Sequence, residues 1–491
     1  MNQTKLTEAR NYEKEQGAKI SEKERPLFHV TPTAGWMNDP NGFSVYKGEY
    51  HLFYQYHPYD INWGPMHWGH VKSADFIKWE RLPAAMAPDR EYDAQGVFSG
   101  SAAELEDGRH LLMYTGVQGK DSTPQCRQTQ CVAIGDGVNY EKYEGNPVIT
   151  GKHLPQGCSL SDFRDPKIWR DEKKKCYYAV AGNRTSDGSG AVLLFQSADG
   201  FSWEYVTMLD RSRNEYGRMW ECPDFFETDG QAALIISPQE MRAKGLEFHN
   251  GNDVACLTGS YDSEKHIFTR KQAAAVDYGL DFYAPQTLET PDGRRILIAW
   301  MQSWESSRFH PDGAKWAGMC TLPRELSFKE GRLIQNPVRE LFKYRINPVI
   351  HKGVRLEKTM RLSGITGRIL DMTVDIRPDA GRMYQKFVIY IAENKEYATR
   401  LIYRPGKNTV CIDRTDSGFR YHIVSKREAP VRDQGGSIRL RLVLDRFSAE
   451  IFINDGEQVM SSCLYTPVEA DGILFETDEA VWMDVEKYDI C

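Results

Sequence analysis

Three carboxylates, Asp39, Asp165 and Glu221, stand at matching points of a repeating pattern and are the residues here best suited to do chemistry. Asp39 lies in Trp36-Met37-Asn38-Asp39-Pro40-Asn41-Gly42, Asp165 in Phe163-Arg164-Asp165-Pro166, and Glu221 in Trp220-Glu221-Cys222-Pro223-Asp224. Two carboxyl groups flanking a sugar's anomeric bond are the minimal equipment for glycoside hydrolysis. One must be ionised to attack, and the other must hold a proton near neutral pH for the leaving oxygen. The amides of Asn38 and Asn41 would keep Asp39 ionised, and the apolar neighbours of Glu221 would raise its pKa by desolvation. Asp-Pro and Asn-Gly are also ordinary turn chemistry, so each motif alone decides little. Their register decides more.

Aligning Asp39 with Ser99, Asp165, Glu221 and Ala284 lays five stretches over one another, at spacings of 60, 66, 56 and 63 residues. Eleven residues further on stand Tyr50, His110, Cys176, Ala232 and Arg295, each opening an apolar run. A Gly- or charge-bearing turn precedes every run, as at Lys47-Gly48 and Asp229-Gly230. Repeats of this length, built from short strands and tight turns, read as propeller blades, and five of them predict a five-bladed β-propeller over residues 27–340. Matching columns of a closed ring face a common axis. The three acids should therefore meet at one end of the channel.

The outer strands fit the same scheme. Gly69 to Arg81 and Leu193 to Val206 each read as a strand, an S-x-D turn and a Trp-bearing strand. Residues 1–26 read as a partly helical lead-in ended by Pro26. After a short helical piece at Val338 to Tyr344, period-2 alternation over 369–376, 386–391, 399–403, 437–444, 448–454 and 473–476 predicts a β-sandwich accessory domain over 341–491. The fold class is all-β.

The bulk properties agree. A chain of 491 residues with 41% apolar and 12% aromatic residues is an ordered globular protein of more than one domain. A formal net charge of −7 points to neither nucleic acid nor a membrane surface. Met1 to Arg25 has no apolar core of a signal peptide, and no window reaches the roughly 18 apolar residues of a membrane span. Ten cysteines without a C-x-x-C pair read as reduced thiols, so a cytoplasmic protein is expected. His57, His67 and His70 lie among aromatic residues and glycines, and the chemistry needs no metal or other cofactor. Whether the chain forms a homo-oligomer stays open.

The boxes WMNDPNG, FRDP and EC resemble the three signatures of glycoside hydrolase family 32, which holds invertases, sucrose-6-phosphate hydrolases, inulinases and levanases. The likeness extends through Gln55 to Pro58, Trp63 to His70, Phe98 to Ser101, Asp277 to Ala284, Leu322 to Leu326 and Asp445 to Gly456, nearly the whole chain. The resemblance implies a five-bladed propeller followed by a β-sandwich. It implies Asp39 as the nucleophile on C2 of a β-fructofuranosyl unit and Glu221 as the acid/base of a retaining double displacement. Asp165, with Arg164 beside it, would hold ring hydroxyls and stabilise the transition state. Asn38, Gln55, Trp63, Phe98, Ser99, Asp277 and Trp300 would line the substrate, with Trp304 and Trp316 as rivals of Trp300. Cys222 would tune Glu221 or merely pack beside it.

Leu280 stands where plant and some secreted members carry Lys, so their leaving-group contacts do not carry over. A phosphate on the leaving sugar would call for Arg or Lys at the rim, and Arg184, Arg211, Arg213 and Arg218 are candidates. The leading expectation is a β-fructofuranosidase acting on sucrose, sucrose 6-phosphate or short fructo-oligosaccharides. A five-bladed furanosidase for arabinose-containing glycans and a sugar-binding propeller without catalysis are the alternatives.

Overall fold

The computed structural model describes residues 4–120, 123–308, 310–311, 313–380, 382–418 and 424–491. Five antiparallel sheets follow one another along the chain, and their inner strands are Gly35–Tyr46, Gly96–Glu104, Cys158–Asp171, Met219–Thr228 and Tyr283–Glu289. Each inner strand packs against the next, and that of blade V returns to that of blade I. The ring is thus a closed five-bladed propeller. A two-residue strand, Trp316–Ala317, pairs in parallel with Gly35 and Trp36, so a late segment clasps the first blade.

The apolar runs are the second strands: Glu49–His57, His110–Gln118, Cys176–Thr185, Gln231–Gln239 and Arg295–Trp300. Lys47-Gly48 and Asp229-Gly230 link inner to second strand with positive φ at both residues. Such two-residue turns match the twist of a hairpin. At the outer edge, Asp75 and Asp199 each accept several backbone N–H groups from the turn before Trp79 and Trp203. The S-x-D pattern is a turn because these carboxylates stand in for backbone acceptors.

Every inner strand also carries a register shift. The shifts fall at Met37/Pro40, Phe98/Gly100, between Arg164 and Lys167, at Glu221/Asp224 and at Tyr283/Gln286. A bulge re-aims the side chains around it. Repeated on five strands, it turns the aligned column toward the channel mouth.

The second domain is a sandwich of two six-stranded sheets. All six strands read from the sequence are present. Arg345–Leu356, Thr359–Met360, Thr409–Asp416, Lys426–Pro430, Gln458–Cys463 and Val481–Ile490 join them. In the lead-in the helix Lys5–Gly17 stops nine residues before Pro26, and a 3₁₀ turn at Glu22–Glu24 follows. Glu13 of this helix accepts from Ala84 N at 2.8 Å, which ties it to blade I. The short helical piece before the sandwich is a 3₁₀ helix, Arg339–Tyr344.

Where the two domains meet, Arg324 is wholly buried between Asp277 (3.0 Å) and Glu450 (2.6 Å). His29, equally buried, bridges Asp445 and Glu450 at 3.0 Å each. Burial works against a charge on His29, but its two carboxylate partners outweigh it and raise the imidazole to about 9. Burial also works against ionised Asp445 and Glu450. The His29 contacts, preceded for Glu450 by the Arg324 charge, hold both below the usual carboxylate range.

A raised histidine contributes stability that is complete below its unfolded value near 6.5 and is lost as pH rises through about 9. Removing one member of a buried charge network typically costs about 3–5 kcal/mol. His29→Gln should therefore lower Tm strongly at pH 6 and much less at pH 9.5. Calorimetry at the two pH values checks it; an equal deficit at both would mean that the histidine is not charged.

Candidate active site

One mouth of the propeller channel opens into a cavity of about 820 Å³. Asp39, Asp165 and Glu221 line it together, as do Asn38, Gln55, Trp63, Phe98, Ser99 and Arg164. Column alignment thus becomes spatial convergence, through blades I to IV.

Each acid has its own partners. Ser99 Oγ donates to Asp39 Oδ2 at 2.6 Å, and Asn38 Nδ2 donates to Oδ1 at 3.0 Å. Trp36 Nε1 donates to Asn38 Oδ1 at 2.8 Å and fixes which way that amide faces. Asp165 sits at a left-handed φ of 64°, and its N–H donates to Thr115 Oγ1 at 2.9 Å. Its Oδ2 accepts from Cys222 N at 3.0 Å. Glu221 Oε1 accepts from Arg164 Nε (3.1 Å) and Nη2 (2.9 Å), and Oε2 accepts from Tyr283 OH at 2.7 Å. Cys222 Sγ lies 3.6 Å from Oδ2 of both Asp39 and Asp165, so one thiol touches two of the acids. Cys222 takes a positive φ of 46° to do so.

The electrostatics depart from the sequence expectation. Asn41 does not bond to Asp39; its side-chain Oδ1 accepts from Gly100 N at 3.2 Å and locks blade I to blade II. Burial pushes the Asp39 carboxyl up against the pull of the Ser99 bond, and the Glu221 charge adds to the rise. Burial also lifts Asp165 to about 7; Arg164 opposes this, while Glu221 and Asp39 reinforce it. Apolar neighbours do not surround the Glu221 carboxyl: Trp220 alternates to the other face and is buried, while the carboxyl meets Arg164 and Tyr283.

Two residues expected against the substrate lie elsewhere. Asp277 is 6% exposed, paired with Arg324 and bonded by Ser461 Oγ at 2.7 Å. Its loop docks on the sandwich, because Tyr278, Leu280 and Asp281 donate backbone N–H groups to Val459 and Ser461. Leu280 accordingly packs in the sandwich core. Trp300 is fully buried edge-on between Trp36 (5.7 Å) and Trp304 (5.0 Å), and Trp304 is the one that lines the cavity. Trp316 instead packs on Phe447 at the domain boundary.

Tyr283, Asn252 and Gln128 escaped the sequence reading. Asn252 Nδ2 donates to Tyr283 OH at 3.2 Å, and Gln128 Oε1 accepts from Arg164 Nη1 at 3.3 Å. Tyr283 stands one residue before the column position Ala284, a signal that counting whole columns passed over.

The model of the glycosyl hydrolases family 32 N-terminal domain matches residues 29–337, and that of the family 32 C-terminal domain matches residues 340–489. The chain belongs to glycosyl hydrolase family 32. It is 37% identical over 467 residues to the sucrose-6-phosphate hydrolase of Zymomonas mobilis, covering 92% of this chain and 88% of that protein. It is 35% identical over 485 residues to the raffinose invertase of Escherichia coli, covering 93% and 94%. The β-fructofuranosidase of Bombyx mori, a member of family 32, has the same fold, with a TM-score of 0.83, 36% identity and coverage of 100% and 99%. A mutant of that enzyme was solved in complex with sucrose. Among the described residues of this family 32 chain, no helix is long and apolar enough to cross a membrane.

A carboxyl whose folded pKa lies above its unfolded value destabilises the fold when it ionises. For Asp165 the cost is absent below about 3.8 and complete above about 7. Asp165→Asn should therefore raise Tm at pH 8 and leave it almost unchanged at pH 4. A thermal melt showing no gain at pH 8 would refute the crowding of charge in this cavity.

Proposed function

We propose that this chain is a retaining β-fructofuranosidase that frees fructose from the non-reducing end of sucrose, sucrose 6-phosphate or short fructo-oligosaccharides. The observation that carries the reading is the convergence of Asp39, Asp165 and Glu221 on one cavity, with Cys222 touching two of them and Arg164 holding the third. Relatives named for sucrose-6-phosphate hydrolase, raffinose invertase and β-fructofuranosidase activities support it.

In the first step an Asp39 carboxylate oxygen bonds to C2 of the fructosyl unit as the C2–oxygen bond to the leaving sugar breaks. Glu221 gives its proton to that oxygen. In the second step Glu221 takes a proton from water, the water oxygen bonds to C2, and Asp39 is released. Two inversions give retention, which requires carboxyl groups about 5–5.5 Å apart. Ser99 and Asn38 aim the attacking oxygen, and Tyr283 and Arg164 fix the acid/base. Asp165 stabilises the positive charge that develops on the sugar ring. The partly exposed Trp63, edge-on to Phe98 at 6.1 Å, offers an apolar face for the C–H side of a sugar. A cytoplasmic location suits small imported sugars of this kind.

Asp39→Ala should abolish fructose release from sucrose. Glu221→Gln should lose about 10²–10⁴ in kcat with sucrose, and far less with a fructoside whose leaving group needs no proton. Asp165→Asn should lower kcat more than it raises KM. Steady-state assays on both substrates, with the anomer of the first product read by NMR, test the scheme. Equal losses for Glu221→Gln on both substrates would remove it as the acid, and first-formed α-fructose would remove the double displacement.

A further inference from the structure

Family membership leaves open what the leaving sugar carries, and the rim of the cavity bears on it. Glu221 protonates the leaving oxygen in the reading above, on which this inference rests, so the leaving sugar lies toward blade IV and its neighbour, blade III. Arg184, Gln239 and Glu240 line the cavity there. Arg184 is the next-to-last residue of the second strand of blade III, and Glu240 follows that of blade IV. Arg184 Nη2 is 3.9 Å from Glu240 Oε1, and Arg218 Nε is 3.6 Å from Glu240 Oε2. One carboxylate therefore sits between two guanidiniums.

This bridge is built by the backbone. Arg218 N donates to Gln239 O at 2.9 Å, and Gly217 approaches the same carbonyl so closely that a Cβ would lie 2.4 Å from it. Gly217 has a φ of 67°, and Glu240 itself has a left-handed φ of 55°, uncommon outside glycine. The remaining candidate cations lie apart: Arg211 pairs with Asp187 at 3.7 Å, and neither it nor Arg213 lines the cavity.

The charge inventory points one way. Among the described residues lining the cavity are five carboxylates, Asp39, Asp162, Asp165, Glu221 and Glu240, and two guanidiniums, Arg164 and Arg184. Arg164 is held by Glu221, Asp162 and Gln128. Arg184 is the cation left to meet a substituent on the leaving sugar, and Glu240 faces it. A phosphate monoester carries close to two negative charges at neutral pH, so Glu240 would repel it at the same rim where Arg184 could attract it. A neutral glucosyl group meets no such penalty, and its hydroxyls can bond to both charge types.

We propose that Glu240 is a specificity-determining residue: set between Arg184 and Arg218, it favours neutral leaving sugars over phosphorylated ones. Exposed ion pairs with N···O near 4 Å hold weakly. The effect of Glu240 is therefore on the field at the rim, and its removal frees two guanidiniums in a geometry suited to a phosphate.

The test compares kcat/KM for sucrose and sucrose 6-phosphate in the wild type, Glu240→Gln, and Glu240→Gln combined with Arg184→Met. The wild type should favour sucrose. Glu240→Gln should shift the ratio toward the phosphate ester by about tenfold at low ionic strength, and added salt should shrink the shift. Adding Arg184→Met should take most of the gain away. Calorimetric binding of glucose 6-phosphate should tighten and weaken in the same order. A wild type that prefers sucrose 6-phosphate overturns the proposal, as does a ratio that moves less than twofold in Glu240→Gln. So does a gain that survives both the loss of Arg184 and added salt. In each of those outcomes fructose is still released from sucrose and the fructosidase reading stands. If neither sugar yields fructose, that reading falls and the rim proposal falls with it.

Discussion

Three carboxylates crowded into one cavity with a single tightly held guanidinium are the constraint around which the rest of the molecule is arranged. Two like charges about 4 Å apart repel by roughly 4 kcal/mol at an effective dielectric of 20. A flexible scaffold would relieve that by moving the acids apart. Here each is gripped by a neighbouring blade: Asp39 by Ser99 of blade II, Asp165 by Cys222 of blade IV, and Glu221 by Tyr283 of blade V. The ring cannot open locally, because every inner strand is wedged between two others. Burial raises the Asp39 and Asp165 carboxyls, and repulsion from the neighbouring acids adds to the rise instead of moving them apart.

The scaffold that resists this repulsion is itself braced from one side. Asp277 and Arg324 belong to blade V and the loop before it, His29 to the segment entering blade I, and Asp445, Glu450 and Ser461 to the sandwich. Blades I and V are where the chain closes the circle, so a buried network at that seam clamps the weakest joint of a propeller. The hairpin tip at Asn454 to Gly456 adds a backbone contact, since Gln335 N donates to Gly456 O at 3.1 Å. Gly456 has φ 93° and touches the Gln335 carbonyl so closely that any Cβ would collide with it. Among the described residues, the sandwich meets the propeller at this seam and lends none to the cavity lining.

The legible parts of the sequence were those governed by period and turn chemistry. The five-fold column, the second strands and the S-x-D turns follow from local rules, and closure of the ring then forces Asp39, Asp165 and Glu221 together. The illegible parts depend on direction and partner. Asp277 reads as a loop acid beside glycine, yet its loop turns outward to a sandwich strand nearly 200 residues later in the chain. Trp300 and Trp304 are equally good sugar platforms by residue type. Trp300, the last residue of a second strand, is boxed in by Trp36, while Trp304 lies beyond the strand end and reaches the cavity. The apolar sequence around Glu221 misled for the same reason: in a strand, neighbours point to opposite faces, so Trp220 says little about what surrounds the Glu221 carboxyl.

The same period explains how acids in one column come to differ in setting. Asp165 lies within the bulged stretch of its strand, at a left-handed φ, with its oxygen against a backbone N–H and a thiol. Glu221 stands one residue before Cys222, where its own strand bulges, so its longer side chain leaves from regular backbone and reaches across to Arg164 of blade III. Asp39 falls within the bulge of blade I, between an amide and a hydroxyl. Left-handed backbone at a non-glycine residue costs on the order of 1–3 kcal/mol and persists only where the surroundings over-determine it. Asp165 and Cys222 both carry that cost, and both lie between strands that cannot shift. Five copies of one strand–turn–strand unit therefore supply the position of each acid, and a shift of one residue (Asp165 against Glu221) or two (Asp39 against Glu221) in where the bulge begins supplies the difference in surroundings on which a division between attacking and proton-donating carboxyls depends.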